Sequence, residues 1–513
     1  MRSLRPVDSV EMSPLENAVI IAYIAVLLVL SVYGSHRYYM AYLYYRHKFR
    51  LPTPRARFES LPRITVQLPI FNEMYVVNRL IGAVCALEYP RHLLEIQVLD
   101  DSVDETRQIA RACVDEWREQ GIDITYIHRV NRRGFKAGAL ENGLRSARGD
   151  FIAVFDADFV PDPHFLSRTV HFFTDPGVGM VQVRWEHLNR GYSTLTHCQS
   201  ILLDGHFVIE HTARNRSGAF FNFNGTAGIW RRQTIESAGG WQHDTLTEDL
   251  DLSYRAQLAG WQFVFLPEVT APAEIPVDMN AFKSQQHRWA KGSIQTALKL
   301  LPRIFAAPLP LHVKREAFFH LTANFAYLLM IPLAVLMPIS VIVRVGHGWY
   351  EVLLLDIPFF AAATASVCSF YFASQREIGL SVWQRLKYMP LLMALGIGLS
   401  VNNSRAVLEA LLKHKSGFTR TPKHGVQRSG ESVVRKKYRA AATLQPIVEL
   451  GLAAYMTFGV LFVLDRGVYY SLPFLFLFQA GFGYVGLMSM WEALRDFFSR
   501  FVAPAAPQGG VDA

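Results

Sequence analysis

The segment Phe151-Ile152-Ala153-Val154-Phe155-Asp156-Ala157-Asp158 decides how the rest of the chain is read. Five consecutive apolar residues suit a strand buried on both faces, and two carboxylates one residue apart close it. The same punctuation recurs upstream. Arg63 to Pro69 (RITVQLP) reads as a buried strand running into Phe71-Asn72-Glu73, and Leu94 to Leu99 (LEIQVL) as one closed by Asp100-Asp101-Ser102. Asp123 to His128 adds another, and helical stretches such as Thr106 to Gln120 separate them. Strands alternating with helices predict an α/β fold with a mostly parallel sheet. Ligands of such sheets sit beyond the carboxyl ends of the strands, where these polar residues fall.

The flanks are of another kind. Of 513 residues, 51% are hydrophobic and 19% charged, with a mean hydropathy of +0.14. Soluble proteins carry about 25% charged residues, so part of this chain meets lipid. Disordered, collagen-like and small disulfide-rich classes are excluded. The apolar run from about Asn17 to Gly34 suits one span of about 20 residues. His36, Arg37, Arg46, Lys48, Arg50, Arg55 and Arg57 follow it and assign that flank to the cytoplasm. Further spans are expected at about Phe318–Val343, Val352–Ala373, Ile447–Leu464 and Leu472–Met490. The shorter run Met389–Val401 is expected to lie at the interface. Crossing there would export the basic stretch that includes Lys413, Lys415, Arg435 and Arg439, against the positive-inside rule.

The expected organisation is a leading segment (1–16), an anchor (17–36), an α/β domain (60–303), membrane and interfacial helices (304–412), a basic cytoplasmic loop (413–445), two more spans (446–491) and a cytoplasmic tail (492–513). Ile294, Ala297, Leu298 and Leu301 form a helical stripe beside Lys291, Lys299 and Arg303, which reads as an amphipathic helix at the membrane surface or packed on the α/β domain. Asp356, inside an expected span, is a candidate pore-facing residue. The net charge of +9 is concentrated near the cytoplasmic face. Without a zinc-finger or aromatic RNA-binding motif, that charge points to membrane lipid headgroups and phosphorylated substrates rather than nucleic acid. Cys85, Cys113, Cys198 and Cys368 have no CxxC spacing and read as reduced thiols.

Four clusters carry chemistry. Asp156 and Asp158 can jointly hold a hard divalent cation that also binds a diphosphate. Asp100 and Asp101 can accept hydrogen bonds from a base or ribose, or cap the helix that starts near Thr106. In Thr247-Glu248-Asp249, Thr247 makes a sensible helix cap, while Asp249 can serve as a general base toward an attacking hydroxyl. Gln285-Gln286-His287-Arg288-Trp289 places Gln285 and Arg288 on one helix face. A guanidinium suits a diphosphate, and an indole gives a surface on which a sugar ring stacks.

Taken in order, these clusters resemble the D, DxD, TED, QxxRW set of processive family 2 glycosyltransferases, most closely the cellulose-synthase-like mannan and glucomannan synthases and their bacterial relatives. Phe223 to Arg231 (FNGTAGIWR) and Ala238-Gly239-Gly240-Trp241 resemble the family's acceptor-side segments. Phe418-Thr419-Arg420-Thr421-Pro422-Lys423 is similar to its FxVTxK gating loop, with Arg420 where the family has Val. Lys136-Ala137-Gly138 is similar to its KAG segment.

The resemblance implies a GT-A-type domain joined to about five spans and interfacial helices. It implies Mg²⁺ or Mn²⁺ at Asp156 and Asp158, and Asp249 as the base. Donor contacts are implied for Pro69, Asn72, Glu73, Asp100, Asp101, Lys136, Gln285, Arg288, Arg420, Thr421 and Lys423, and acceptor contacts for Trp289, Gly225, Thr226 and Glu248. The expected activity is inverting transfer of a hexose from UDP-glucose or GDP-mannose to a β-linked glycan exported through the spans, with any partner for export encoded elsewhere. The alternatives are a glycolipid product, on diacylglycerol, ceramide or polyprenyl phosphate, and a transporter or receptor with a degenerate catalytic domain. The expected location is the plasma or inner membrane, or the Golgi in a eukaryote.

Overall fold

The computed structural model describes residues 12–349, 354, 356–414, 420–428, 430–431, 436–438 and 443–502. Its centre is a seven-stranded sheet in the order β3-β2-β1-β4-β6-β5-β7. Strands β1 (Ile64–Ile70), β2 (Leu94–Asp100), β3 (Ile124–His128) and β4 (Phe151–Val154) are mutually parallel. They match the four strands expected from sequence. Every residue of β1, β2 and β4 is buried, which explains their unbroken apolar runs. β6 (Gly228–Arg231) runs antiparallel to β4 and β5 (Val178–His187), and β7 (Gln262–Ala273) closes the far edge parallel to β5. The amphipathic helix Thr106–Glu119 buries Ala110 and Val114 against this sheet.

Among the described residues six helices are long and apolar enough to cross a membrane, one more than the expected spans. The additional one, 382–411, is divided into Val382–Lys387, Met389–Gly398 and Ser400–Leu411. Its most apolar window is 67% buried inside the protein, against 22–39% for the other five. Both of its ends face the sheet domain: Tyr388 stacks on His197, and Glu409 pairs with Lys291 at 2.9 Å. The expected span Phe318–Val343 is corrected. The chain turns at Ala323-Asn324, leaving a short helix Leu311–Thr322 before the apolar Phe325–Gly346. The first helix, Pro14–His47, is opened by a Ser13–Glu16 capping box. Helices Asp356–Glu377, Gln445–Asp465 and Leu472–Val502 complete the set. Val352, the expected start of one of these spans, lies outside the described residues, as do 1–11 and 503–513.

Asp356 is also corrected. It is buried, accepts from Tyr23 at 2.8 Å and pairs with Arg344 at 2.7 Å, so its charge is met inside the helix bundle rather than by a pore.

The helix Met279–Ala306 joins the two halves. Lys283 pairs with Glu449 of the Gln445–Asp465 helix at 2.6 Å. Glu492 of the last helix accepts from the backbone N–H groups of Met279 and Asn280, capping the helix start across the domain boundary. Of the predicted stripe, Ile294 and Ala297 are buried, whereas Leu298 is exposed. The helix therefore packs on its neighbours with its inner face.

Candidate active site

The carboxyl ends of β1, β2 and β4, the end of β5 and the start of Glu248–Leu258 surround a cleft of about 1240 Å³, counting its open mouth. The helix Met279–Ala306 and residues 420–423 close its other sides. Of the residues singled out in the sequence, Pro69, Glu73, Asp101, Lys136, Asp156, Asp158, Gly225, Glu248, Asp249, Gln285, Arg288, Trp289, Arg420, Thr421 and Lys423 all line it.

Three do not. Asp100 is fully buried: Oδ1 accepts from Ser102 N–H at 2.8 Å and Oδ2 from the Tyr126 hydroxyl at 2.6 Å. It builds the turn and does not line the cleft. Nor does it cap the helix at Thr106, whose N–H is taken by Asp104 Oδ1 at 3.0 Å. Asn72 holds the same turn through Val103 N–H, with a left-handed backbone (φ 53°). Thr226 is buried and its hydroxyl accepts from Asp156 N–H at 2.9 Å, so it shapes the loop that presents Asp156. Phe418 and Thr419 of the gating-like motif lie outside the described residues.

Asp249 occupies the first turn of its helix. Thr247, the expected structural cap, makes no side-chain capping bond, and Asp249 Oδ1 itself takes Leu250 N–H at 2.8 Å. Burial first, and then the neighbouring Glu248 carboxylate, push the Asp249 acid up to about 7, while Lys136 opposes the shift. Glu248 is raised as well, by the same burial. A carboxyl poised near neutrality is suited to take up and release a proton. Gly225 faces it with φ +82°, and a β-carbon built there would lie 2.9 Å from Asp249 Oδ2. Only glycine leaves the carboxylate that room.

Lys136 donates to Asp156 Oδ1 at 2.5 Å and to the Gly225 carbonyl at 2.8 Å. Burial disfavours its charge, but Asp156 and Glu248 outweigh burial and raise it above the ordinary lysine value. Lys423 likewise donates to Asp158 Oδ2 at 2.5 Å and to the Glu274 carbonyl at 3.3 Å. Each DxD carboxylate thus faces an ammonium group. Among the described residues no cluster of three or more metal-ligating side chains occurs. Two hard oxygen donors facing an open cleft fit a Mg²⁺- or Mn²⁺-type ion that takes its remaining ligands from a diphosphate and water.

On the opposite wall, Asp101 receives Arg129 through two bonds of 2.8 and 2.5 Å. Glu73 is pushed up to about 7 by burial and by Asp158 and Asp156, against the pull of Arg420, whose Nε lies 3.4 Å away. Arg420 also stacks over Tyr438, whose hydroxyl donates to Asp104. Residues 420–423 are thereby fastened to the sheet as a cover over the cleft. Thr421 Oγ1 lies 3.5 Å from Arg288.

The sequence missed several lining residues. Glu274 follows β7 and accepts His424 N–H at 2.8 Å. His187 and Trp185 come from β5, and Arg132 lies over the Phe71 ring, 3.3 Å from its centroid. The basic pair Arg132-Arg133 before the KAG segment was the available signal for the last of these.

Known proteins give a consistent picture. The family model described as glycosyltransferase-like family 2 matches residues 62–292. Probable glucomannan 4-beta-mannosyltransferase 9 of Oryza sativa subsp. japonica is 33% identical over 456 residues, covering 83% of this chain and 82% of that protein. Glucomannan 4-beta-mannosyltransferase 1 of the same organism is 42% identical over 256 residues, 49% of each chain. The chain thus spans about half the length of some curated relatives it matches and most of another. Among solved structures, a mannosyltransferase from Pyrobaculum calidifontis in complex with GDP-Man and Mn²⁺ aligns over 78% of this chain and all of its own, with 20% identity and a TM-score of 0.50. That likeness bears on the fold.

Proposed function

The chain belongs to glycosyltransferase family 2, and from that premise we propose that it is a membrane-embedded, inverting hexosyltransferase that extends a β-linked glycan of the mannan or glucomannan type. The observation that carries this reading is the Asp249 carboxyl, held near neutrality inside a cleft that also gathers Asp156, Asp158, Arg288 and Trp289.

The nucleotide sugar, GDP-mannose or UDP-glucose, lies along the carboxyl ends of β1, β2 and β4. Asp156 and Asp158 are the residues that would hold a divalent cation, which when bound supplies positive charge against the diphosphate. Asp101, Glu73 and Arg132 border the nucleoside end. Asp249 accepts the proton of the acceptor hydroxyl as that oxygen bonds to the anomeric carbon. The bond from that carbon to the diphosphate oxygen breaks on the opposite face, so an α-linked donor yields a β-linked product. Arg288, Lys423 and Lys136 meet the charge that gathers on the leaving diphosphate. Trp289 offers its ring to the terminal sugar of the acceptor, and residues 420–423 exclude water.

Five crossings fit the packing. Helix 382–411 begins and ends on the sheet-domain side, and the sheet domain and residues 420–428 and 436–438 share one face. The basic residues of that loop assign the shared face to the cytoplasm.

The test uses protein purified in mild detergent with Mn²⁺ and each radiolabelled nucleotide sugar in turn. Product is separated into polymer and organic-soluble fractions and challenged with β-mannanase and β-glucanase. Label in a digestible polymer is the expected outcome. Label confined to the organic phase overturns the polymer reading in favour of a glycolipid.

A further inference from the structure

Asn224 lines the cleft immediately before Gly225, on the side where the acceptor enters under the function proposed above. Its carboxamide is held by two histidines. Asn224 Oδ1 lies 2.6 Å from His211 Nε2, and Asn224 Nδ2 lies 3.0 Å from His206 Nε2. Both histidines belong to the π-helical turn Gly205–His211. In a regular α-helix, residues five apart point about 140° away from each other. Here the widened turn brings the two rings to a centroid separation of 4.3 Å, and one amide reaches both.

Hydrogen-bond directions follow from these contacts. His211 is deeply buried, its imidazole held far below the ordinary histidine value by that burial, and its Nδ1 has no partner among the described residues. It is therefore neutral, with its proton on Nε2, donating to Asn224 Oδ1. That orientation turns the Asn224 NH₂ group toward His206 Nε2, which must be a lone pair. The His206 proton then sits on Nδ1 and donates to Glu210 Oε2 at 3.0 Å. Glu210 is a carboxylate: Arg37, from the first membrane helix, and Arg214 both donate to it and hold it well below the usual range despite burial. Each donor in this chain meets an acceptor, whereas the flipped amide would leave a buried His211 Nδ1–H without one. One amide hydrogen and one carbonyl lone pair of Asn224 remain for a ligand.

We infer that His206 and His211 are positioning residues for the acceptor: they lock the Asn224 amide so that its free hydrogen and lone pair meet hydroxyls of the terminal sugar. This inference rests on the glycosyltransferase reading. It adds a relay from Arg37 in the membrane helix through Glu210 and His206 to the acceptor side of the cleft.

The test compares His206→Leu, His211→Leu, His206→Gln and His211→Gln in the full-length protein, with β-1,4-linked mannotetraose and cellotetraose as acceptors. Donor KM and donor hydrolysis without acceptor are measured in parallel. The leucine variants are expected to raise the acceptor KM about tenfold or more, leaving donor KM and hydrolysis within about twofold. The glutamine variants supply a carbonyl acceptor at position 206 and an N–H donor at position 211, and are expected to return the acceptor KM to within about threefold of the parent. An unchanged acceptor KM in the leucine variants overturns the inference. So do glutamine variants with normal donor hydrolysis and an acceptor KM as poor as that of the leucine pair. Should the leucine variants lose hydrolysis through misfolding, the glutamine pair decides by the same criterion. A parent protein that neither transfers nor hydrolyses any donor refutes the glycosyltransferase reading instead.

Discussion

The α-carbon of Gly225 faces the Asp249 carboxylate so closely that a methyl group at that position would stand 2.9 Å from Oδ2. The contact is doubly restrictive, because Gly225 also has φ +82°, a region that L-residues avoid. Gly225→Ala is expected to displace the carboxylate and lower kcat about 100-fold, the size associated with a misplacement of about 1 Å. Donor affinity should persist, as measured by calorimetric titration with the nucleotide diphosphate.

Asp249→Asn removes the proposed proton acceptor while keeping the shape of the side chain. Transfer is expected to fall by about 10²- to 10⁴-fold with donor binding intact. In the parent enzyme, kcat/KM should rise with pH through about 7, because the carboxylate form is the active one and burial raises its folded value. The opposite sign applies to stability. A carboxyl raised on folding favours the folded state at low pH, and this contribution disappears as pH climbs through about 7. The donor-free protein should thus melt lower at pH 8 than at pH 6 as far as Asp249 and Glu73 determine it. A pH–rate profile without an acid limb, or one that Asp249→Asn leaves in place, removes Asp249 from this role.

The proposed cation ligands differ in access, since the Asp158 side chain is 7% exposed and that of Asp156 34%. Asp158→Ala is expected to raise the Mn²⁺ concentration for half-maximal activity by more than tenfold, and chelation should abolish transfer by the parent. Both are read by a metal titration at fixed donor.

Lys423 donates to Asp158 in a charge-assisted bond, and such bonds carry about 1.5–3 kcal/mol. Lys423→Ala should raise donor KM and lower turnover about tenfold each, whereas Lys423→Arg should recover part of the loss. Turnover indistinguishable from the parent would separate residues 420–423 from the reaction.

The Lys283–Glu449 pair is almost inaccessible to solvent, with side-chain exposures of 3% and 0%. Removing one partner of such a pair costs about 3–5 kcal/mol. Glu449→Gln is expected to lower the melting temperature in detergent markedly, and Lys283→Met combined with Glu449→Met to recover much of it.

Much of this architecture was legible in the sequence because physical constraints coincide there. β1, β2 and β4 are buried on both faces, so they are written as apolar runs, and each ends in polar residues where the sheet opens to the cleft. β6 and β7 lack that signature. β6 has four residues inside the FNGTAGIWR segment, and β7 carries Pro267 and Pro272, which an edge strand tolerates and a strand pattern hides. Asp100 and Asp101 look alike in sequence, but adjacent residues at a strand end point opposite ways. One is consumed by Ser102 and Tyr126, and the other reaches the cleft. The π-helical turn at Gly205–His211 leaves no mark in hydrophobic periodicity, so the histidine pair that grips Asn224 emerges only in three dimensions.

The helix Met279–Ala306 carries Gln285, Arg288 and Trp289 on one side and is fastened through Lys283, Asn280 and Met279 to the last two membrane helices. It runs from the membrane helices to the wall of the cleft. Membrane helices tilt when the hydrocarbon layer around them thins or thickens, and this helix carries Arg288 and Trp289 while Leu250 and Tyr254 of the Asp249 helix pack against its later turns. A change in the thickness of the surrounding bilayer would therefore reach the cleft along one continuous helix.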